Sequence, residues 1–239
     1  MAGKLFGIGV GPGDPGLMTI KAVEILKTAA HVFAPIPRPD GVSVAYTIAK
    51  NFIPENKPIT FLLFPMLHDQ EMLNEQLMKN YQSIEKMLRE SGDCAFITLG
   101  DPSVYSTFTV MQRYFARFAP DIEIHIIPGI TSYSFAAAQA GVALVEGDEI
   151  LSIVSGNDSV ERIGAIIDVT DTAVFLKTYR NREQVLNVIQ KKGLSRHCIY
   201  IQKCGMDGET IQFDVENLSG NPEYLSLLIL KKPYNNRES

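Results

Sequence analysis

The sequence predicts an α/β protein built from two domains. Short runs of β-branched and other apolar residues alternate with helical patterns along almost the whole chain, which is typical of α/β architecture. The apolar runs are nearly continuous, as expected for strands of a sheet that is covered on both faces. Eight segments are predicted as strands: residues 5–10, 30–33, 94–99, 122–127, 150–154, 173–177, 198–203 and 224–231.

Helical patterns fill the intervals between these strands. Four helices are predicted, over residues 19–30, 71–90, 133–140 and 182–192. The helix over residues 71–90 has an apolar stripe at helical spacing, formed by Leu73, Leu77, Ile84, Met87 and Leu88. Gly193 stands where a glycine commonly ends a helix.

Residues 141–149 suit a domain boundary. An alanine-rich helix ends before them, and an acidic turn over residues 146–149 precedes a new strand. We therefore predict an N-terminal α/β domain over residues 1–145 and a C-terminal α/β domain over residues 146–239. A ligand site is expected in the cleft between the two halves, because pockets favour domain interfaces and the C-terminal ends of strands.

Composition and charge exclude several classes of protein. The net charge of −5 and the lack of a dense Lys/Arg cluster argue against a nucleic-acid partner. No apolar run approaches the roughly 20 residues that span a bilayer. The chain begins with a strand and not with an apolar leader, so we expect a cytoplasmic protein without a membrane partner.

Cysteine and histidine usage does not support a metal centre. Cys94, Cys198 and Cys204 are scattered, and no two of them form a C-x-x-C pair. The four histidines lack the spacing of metal ligands. We predict buried, reduced thiols and no metal bound by the protein.

The first strand runs into a glycine-rich turn. Residues 11–16 have the G-x-G-x-x-G spacing of a dinucleotide fingerprint. However, Pro12 and Pro15 remove amide donors that a phosphate cradle would use, and residues 31–38 lack the acidic residue expected after the second strand. A dinucleotide site and a tight turn without a ligand remain alternatives for this loop.

Three further strands end in loops that contain glycine. These loops read L-G-D-P-S-V-Y-S-T over residues 99–107, P-G-I-T-S over 128–132 and K-C-G-M over 203–206. Glycine allows a backbone to approach a ligand closely, but each loop alone is also common turn chemistry. Asp101 suits an Asx turn, and Thr131 or Ser132 suits a helix N-cap.

Together these motifs give the chain a family signature. With G-V-G-P-G-D-P over residues 9–15, L-G-D-P and P-G-I-T-S appear in the order and spacing of the tetrapyrrole (cobalamin-pathway, class III) methyltransferases, which the chain resembles over nearly its full length. The continuation V-Y-S-T over residues 104–107 looks most like the members that methylate C20 of precorrin-2 or cobalt-precorrin-2, with a preference for the cobalt-dependent branch.

The resemblance implies two α/β domains with S-adenosylmethionine (SAM) in the cleft between them. It also implies a homodimer and a tetrapyrrole substrate, with any cobalt bound by the substrate and not by the protein. Residues matching the SAM-binding motifs are Leu99, Gly100, Asp101, Val104, Tyr105, Ser106, Thr107, Thr131, Ser132, Lys177, Gly205 and Met206. Residues matching the loop near the tetrapyrrole are Gly11, Pro12, Gly13 and Asp14.

One departure from the family pattern concerns the catalytic base. Relatives that methylate uroporphyrinogen carry an Asp after the second strand, where residues 34–37 read A-P-I-P here. This difference argues against uroporphyrinogen as the substrate and leaves the base unassigned. Basic residues that could meet the substrate carboxylates are Arg38, Arg113, Lys177, Arg180 and Arg182, although such side chains are usually solvated.

Three functions remain open at the level of the sequence. The first is a SAM-dependent C20-methyltransferase, acting on cobalt-precorrin-2 or on metal-free precorrin-2. The second is a family member with another target, such as a different corrin carbon or a diphthamide precursor on a protein. The third is a nucleotide-binding module without catalysis.

Overall fold

The computed structural model describes residues 2–67, 69–216, 218 and 220–233. Contacts divide the chain into two compact units, Met1–Thr131 and Ser132–Ser239. Each unit contains one five-stranded sheet, so the predicted α/β class with two sheets is confirmed.

The first unit contains a fully parallel sheet. Its strands are β1 (Leu5–Gly9), β2 (His31–Ile36), β3 (Ile59–Leu63), β4 (Cys94–Thr98) and β5 (Ile124–Ile127), in the order β3-β2-β4-β1-β5. All neighbouring strands run in the same direction. Their carboxyl ends therefore lie at one edge, which we call the C-terminal edge of the first sheet.

Helices cover both faces of this sheet. They are α1 (Ile20–Thr28), α2 (Val44–Ala49), α3 (Gln70–Glu90) and α4 (Phe108–Phe118). The connections through α1 and α2 run along the sheet in one direction and those through α3 and α4 in the other, so right-handed crossovers place the two pairs on opposite faces. The α3–α4 face packs as one apolar cluster that includes the predicted stripe residues Leu77, Ile84 and Leu88.

The second unit contains a mixed sheet. Its strands are β6 (Leu151–Ser155), β7 (Thr172–Leu176), β8 (Cys198–Gln202), β9 (Thr210–Phe213) and β10 (Ser226–Lys231), and its helices are α5 (Ser132–Ala140), α6 (Val160–Val169) and α7 (Arg182–Lys191). The strand order is β6-β7-β10-β8-β9, and β10 runs antiparallel to both of its neighbours. The carboxyl ends of β6, β7 and β8 consequently share one edge, the C-terminal edge of the second sheet.

The acidic turn at residues 146–149 is fastened to the second sheet. The Lys231 ammonium on β10 lies 3.0 Å from Glu149 Oε2 and 3.7 Å from Glu146 Oε2. Helix α5 also contacts β10, which explains why the contacts divide the chain before α5 and not after it. The predicted boundary between residues 145 and 146, which separates the N-terminal from the C-terminal α/β domain, stays a prediction.

Five of the strands and α-helices described above were not predicted from sequence periodicity. They are β3, β9, α2, α4 and α6. Both strands lie at an edge of their sheets, and β9 is exposed or half-buried along its length, so neither has the continuous apolar run of a central strand. Gly193 follows α7 with a φ of 68°, so the predicted helix-ending glycine is confirmed.

The second strand extends beyond its predicted end at residue 33. Strand β2 continues to Ile36 and pairs there with β3, whereas its pairing with β4 stops at Phe33. Pro35 is tolerated because this part of the strand has a neighbour on one side only. The exposed carboxylate of Asp40 lies in the turn after this longer strand, beyond the residues 31–38 that lack an acidic side chain.

The three cysteines are free and buried, as the sequence predicts. Desolvation raises the pKa of each thiol to about 12, so these thiols are poor nucleophiles. The residues that the structure describes contain no cluster of His, Cys, Asp and Glu able to hold a metal ion. In the same residues, no helix combines the length and the apolar character that crossing a bilayer requires.

Alanine substitutions at two glycines should change the stability of the protein in opposite directions. An added Cβ at Gly7, on β1, would overlap the buried ring of Phe108. At Gly164, inside α6, an added Cβ meets only ordinary contacts at 3.9 Å. We expect Gly7→Ala to lower the free energy of unfolding by about 1–3 kcal/mol through overpacking. Gly164→Ala should raise it by roughly 0.5–1 kcal/mol. Urea denaturation measures both, and a Gly7→Ala protein as stable as the wild type would contradict this packing.

Candidate functional site

The first sheet has a crevice where two neighbouring strands send their chains to opposite faces. Strand β1 continues into α1 and strand β4 continues into α4, although the two strands are adjacent. Ligands of open α/β sheets bind outside the carboxyl ends of strands at such a switch point. The glycine-rich turn after β1 and the L-G-D-P loop after β4 therefore meet where a ligand site is expected.

Three glycines hold the strand ends together by direct backbone contact, and we call Gly9, Gly100 and Gly129 the glycine junction. An added Cβ at Gly9 would lie 2.7 Å from the Gly129 nitrogen, and one at Gly129 would lie 2.8 Å from the Gly9 Cα. Both added atoms would also collide with the Gly100 carbonyl oxygen. Any side chain at Gly9 or Gly129 would thus push apart the ends of β1, β4 and β5.

A pair of backbone hydrogen bonds joins the loop after β1 to the loop after β4. The Gly100 amide donates to the Gly11 carbonyl at 2.8 Å, and the Gly11 amide donates to the Gly100 carbonyl at 3.3 Å. Gly100 has a φ of 68° and Gly11 a φ of 82°, conformations that glycine adopts without steric cost. Nothing lies within 4 Å of the position where a Gly100 Cβ would be, so the loop leaves open space beside its backbone.

The glycine-rich turn does not provide a phosphate cradle. The Gly11 amide is occupied by Gly100, and the Gly16 amide donates to Asp14 Oδ1 at 2.7 Å. The first turn of α1 is capped by its own chain, because the Ala22 amide donates to Thr19 Oγ1 at 3.2 Å. Three amides of this region are therefore bonded within the protein, which argues against the dinucleotide alternative.

Asp101 joins the loop after β4 to the loop after β5. Its Oδ2 accepts the Gly129 amide at 2.9 Å, and its Oδ1 accepts the Ser103 amide at 2.8 Å and also the Ser103 hydroxyl. The residue is 8% exposed. Three donors compensate the burial of this carboxylate, so both of its oxygens are used by the protein itself.

Ser106 is also committed to the fold. Its hydroxyl accepts the Phe108 amide at 3.0 Å at the start of α4 and is bonded to the Thr98 hydroxyl at 2.9 Å. Both side chains are buried. The predicted site residues of this loop that keep exposed or half-buried side chains are Leu99, Val104, Tyr105 and Thr107.

Left-handed backbone conformations recur at the C-terminal edges of both sheets. Tyr105 has a φ of 47°, Lys177 a φ of 59° and Lys203 a φ of 50°. Such conformations are costly for residues with a side chain and are often found at ligand sites. Lys177 directly follows β7 and Lys203 directly follows β8, so the two strands end in the same way. Sequence analysis missed Lys203, because no local pattern predicts a left-handed lysine.

The second unit brings together the predicted residues that belong to it. The Cys204 thiol donates to the Ser132 carbonyl at 3.7 Å, which joins the loop after β8 to the start of α5. In that loop the Gly205 amide donates to Glu209 Oε2 at 2.6 Å, and Met206 is half-buried. Desolvation lowers the pKa of Lys177.

In the first unit, the structure brings Gly11, Gly100 and Asp101 together around the junction. Pro12 and Gly13 are buried in the turn that follows Gly11, whereas Asp14 is exposed. Thr131 is the last residue of the first unit, directly before α5. The junction roles of Gly9 and Gly129 were not predicted, because the sequence shows a glycine but not the backbone that opposes it.

Comparison with known proteins gives consistent results. Residues 4–218 match the family described as Tetrapyrrole (Corrin/Porphyrin) Methylases. A protein of Methanocaldococcus jannaschii named "Probable cobalt-precorrin-2 C(20)-methyltransferase" is 37% identical over 238 residues, covering 96% of each chain. A precorrin-2 C(20)-methyltransferase of a Sinorhizobium species is 25% identical over 236 residues, covering 95% of each.

A solved structure supports the same fold. The uroporphyrin-III C-methyltransferase of Thermus thermophilus, crystallised with S-adenosylhomocysteine, superposes with a TM-score of 0.67 at 19% identity. The match covers 96% of this chain and 97% of that one. At this identity the likeness concerns the fold.

We expect Asp101→Asn to lower the free energy of unfolding by about 1–3 kcal/mol, because the new amide group presents a donor where the structure needs an acceptor. Asp14→Asn is the matched control, since the Asp14 carboxylate is exposed and accepts a single amide. Urea denaturation of the two variants makes the comparison. Equal, small effects would show that Asp101 does not brace the two loops.

Proposed function

This chain belongs to the tetrapyrrole (corrin/porphyrin) methylase family, and we propose on that basis that it methylates C20 of cobalt-precorrin-2 with SAM as the methyl donor. The observation that carries the proposal is the 37% identity, over 96% of both chains, to a relative named for that reaction. The V-Y-S-T stretch at residues 104–107 agrees with it.

The residues of the first unit fit SAM in character. The open space beside Gly100 would receive a ligand against backbone, and Val104 and Tyr105 would add apolar and aromatic surface. Because Asp101 and Ser106 are bonded within the protein, we propose that their side chains position the loop and that its backbone faces the ligand. Thr107 and Thr131 complete the first unit's share, and Leu99 precedes the junction.

The second unit would supply the remaining contacts. We propose that Lys177, Gly205 and Met206 contribute from the C-terminal edge of the second sheet and that Ser132 contributes from the start of α5. The left-handed backbone at Lys177 and the link from Cys204 to Ser132 support this grouping.

When bound, SAM supplies an electrophilic methyl group on a sulfonium. The protein's own contribution is then to align the donor with a nucleophilic carbon and to limit access of water, and alignment alone can supply roughly 7–11 kcal/mol of the barrier. The glycine junction suits this task, since it fixes three strand ends by close backbone contact. No proton-accepting residue is assigned.

The substrate carboxylates require positive charge on an acidic protein. Arg38 and Arg113 are exposed in the first unit, whereas Arg182 donates through Nη2 to the Gly220 carbonyl at 2.8 Å. Its guanidinium also lies over the Tyr200 ring at 5.8 Å. We therefore favour Arg38 and Arg113 over Arg182 for contact with the substrate.

A second candidate substrate is metal-free precorrin-2. The Sinorhizobium relative is named for the reaction on precorrin-2, although its identity to this chain is lower. The two candidates share the methyl donor and the target carbon, so they differ only in the metal that the macrocycle carries.

The deciding experiment compares initial methylation rates on cobalt-precorrin-2 and metal-free precorrin-2 with SAM as donor. We expect faster turnover of the cobalt compound and an NMR spectrum that places the new methyl group at C20. Faster turnover of precorrin-2 would favour the second candidate, and methylation at another carbon would refute both.

Calorimetry should show binding of SAM and not of NAD, and the reverse result would restore the dinucleotide alternative.

The family resemblance also leads us to propose a homodimer, since two-fold pairs dominate soluble oligomers. Light scattering at micromolar concentration should give about twice the chain mass of 26.5 kDa. A mass equal to that of one chain would contradict the proposal.

A further inference from the structure

The outer edge of β3 carries backbone groups that have no neighbouring strand. Strand β3 is the outermost strand of the first sheet and pairs with β2 only. The Phe64 amide donates to the Ile36 carbonyl at 2.8 Å, which sets the phase of this parallel pairing. Because the direction of the backbone groups alternates along a strand, residues 60 and 62 turn theirs towards β2, whereas Ile59, Phe61 and Leu63 turn theirs outward.

One end of this edge is already covered by α3. The side-chain amide of Asn80, a residue that is 3% exposed, donates to the Leu63 carbonyl at 2.7 Å. Within the described residues, the backbone groups of Ile59 and Phe61 form no hydrogen bond outside the strand pairing. The open part of the edge therefore consists of the amides and carbonyls of these two residues.

The β3 edge also lacks the side chains that usually keep edge strands apart. Edges in natural proteins are protected by charged residues, above all lysine, or by proline within the strand. Residues 58–67 contain no ionisable side chain. The other edge strands of the described part of the chain, β5, β6 and β9, each have an ionisable residue within the strand or within three residues after it. Self-pairing of β3 would therefore bring no like charges together.

Apolar side chains accompany the open backbone groups. Ile59 and Phe61 project from the same face of β3, because they are two residues apart. Phe61 is 47% exposed, and the Tyr46 ring of α2 meets its ring edge-on at a centroid distance of 5.4 Å. A partner that fits this edge needs free backbone groups and uncharged, apolar side chains at alternate positions. Strand β3 of another copy meets both requirements with the same spacing.

We propose that β3 pairs in antiparallel fashion with β3 of a second copy of this chain, with the two-fold axis at Thr60. This inference rests on the homodimer proposed above and names its interface. Ile59 then lies opposite Phe61 of the partner subunit, and each such pair exchanges two amide-to-carbonyl bonds. The register uses the four open groups of each copy and leaves the Leu63 carbonyl to Asn80.

This pairing has consequences for the sheets and for the candidate site. The first sheets of the two copies would join into one continuous sheet, as a self-complementary two-fold contact allows. Because the strands run antiparallel across the junction, the C-terminal edges of the two sheets would face opposite directions. Each copy would therefore keep its own candidate site at its own edge.

The contact has to extend beyond the paired strands. A stable interface buries roughly 800 Å² on each partner, which is more than the pairing of one short strand provides. Tyr46 above the strand and the uncharged residues after it, of which Met66 is 52% and Leu67 is 38% exposed, are the surface that we expect to complete it.

The first test makes the same substitution on two edge strands. Phe61→Lys should raise the dissociation constant of the dimer roughly tenfold or more, because it puts a charge at the centre of the apolar contact. The matched control is Phe213→Lys, since Phe213 is 61% exposed on β9, an edge strand of the second sheet. Light scattering over a concentration series measures both constants. Equal constants for the two variants, or dissociation caused by Phe213→Lys alone, would overturn the assignment to β3.

A second test addresses the register. Ile59→Lys/Phe61→Lys places lysines opposite each other at both pairs, whereas Ile59→Glu/Phe61→Lys places opposite charges there. We expect the second variant to associate roughly tenfold more tightly than the first. Urea denaturation checks that both variants fold, and if either does not, the comparison of Phe61→Lys with Phe213→Lys decides. Equal dissociation constants for the two folded double variants would refute the proposed register.

These measurements need neither SAM nor a tetrapyrrole. Failure of the chain to methylate cobalt-precorrin-2 would therefore refute the proposed reaction and leave the interface to be judged by light scattering. A wild-type mass equal to that of one chain would overturn both the homodimer and the β3 pairing, while the proposed reaction would stand.

Discussion

The close backbone contact among Gly9, Gly100 and Gly129 is the constraint on which the candidate site depends. It brings the ends of β1, β4 and β5 nearer than any side chain would permit. The reciprocal hydrogen bonds between Gly11 and Gly100 then continue the pairing past the strands. The loops that follow inherit their positions from this junction, because each leaves its strand at a fixed point.

The junction also determines which side chains remain available to a ligand. Asp101 must brace the Gly129 amide, and Ser106 must support the start of α4, so two of the most polar residues of the motif serve the protein. The predicted site residues of this loop that stay exposed or half-buried are Leu99, Val104, Tyr105 and Thr107. A neutral base and sugar can be held by such groups, whereas a turn with two prolines and with the Gly11 and Gly16 amides already bonded suits a pyrophosphate poorly.

The two sheets differ in strand direction, but each brings the carboxyl ends of several strands to one edge. In the first sheet all strands are parallel, so the loops that follow the strands all leave from the C-terminal edge and form a broad surface there. In the second sheet the antiparallel β10 lies between β7 and β8, yet β7 and β8 still end side by side with their left-handed lysines. Both sheets thus present loops with uncommon backbone conformations at the edge where their strands end.

The sequence by itself determined the α/β class, most strands and the long amphipathic helix, because apolar periodicity records which face of an element is buried. The order of its glycine motifs also identified the family. Only the tertiary structure decided that β2 continues to Ile36, that Asp101 is a brace and that Gly9 and Gly129 contact each other through their backbones. Each of these facts depends on groups distant in sequence, such as the Gly129 amide beside Asp101. A local pattern carries no record of such partners, since it reports the residue and not what packs against it.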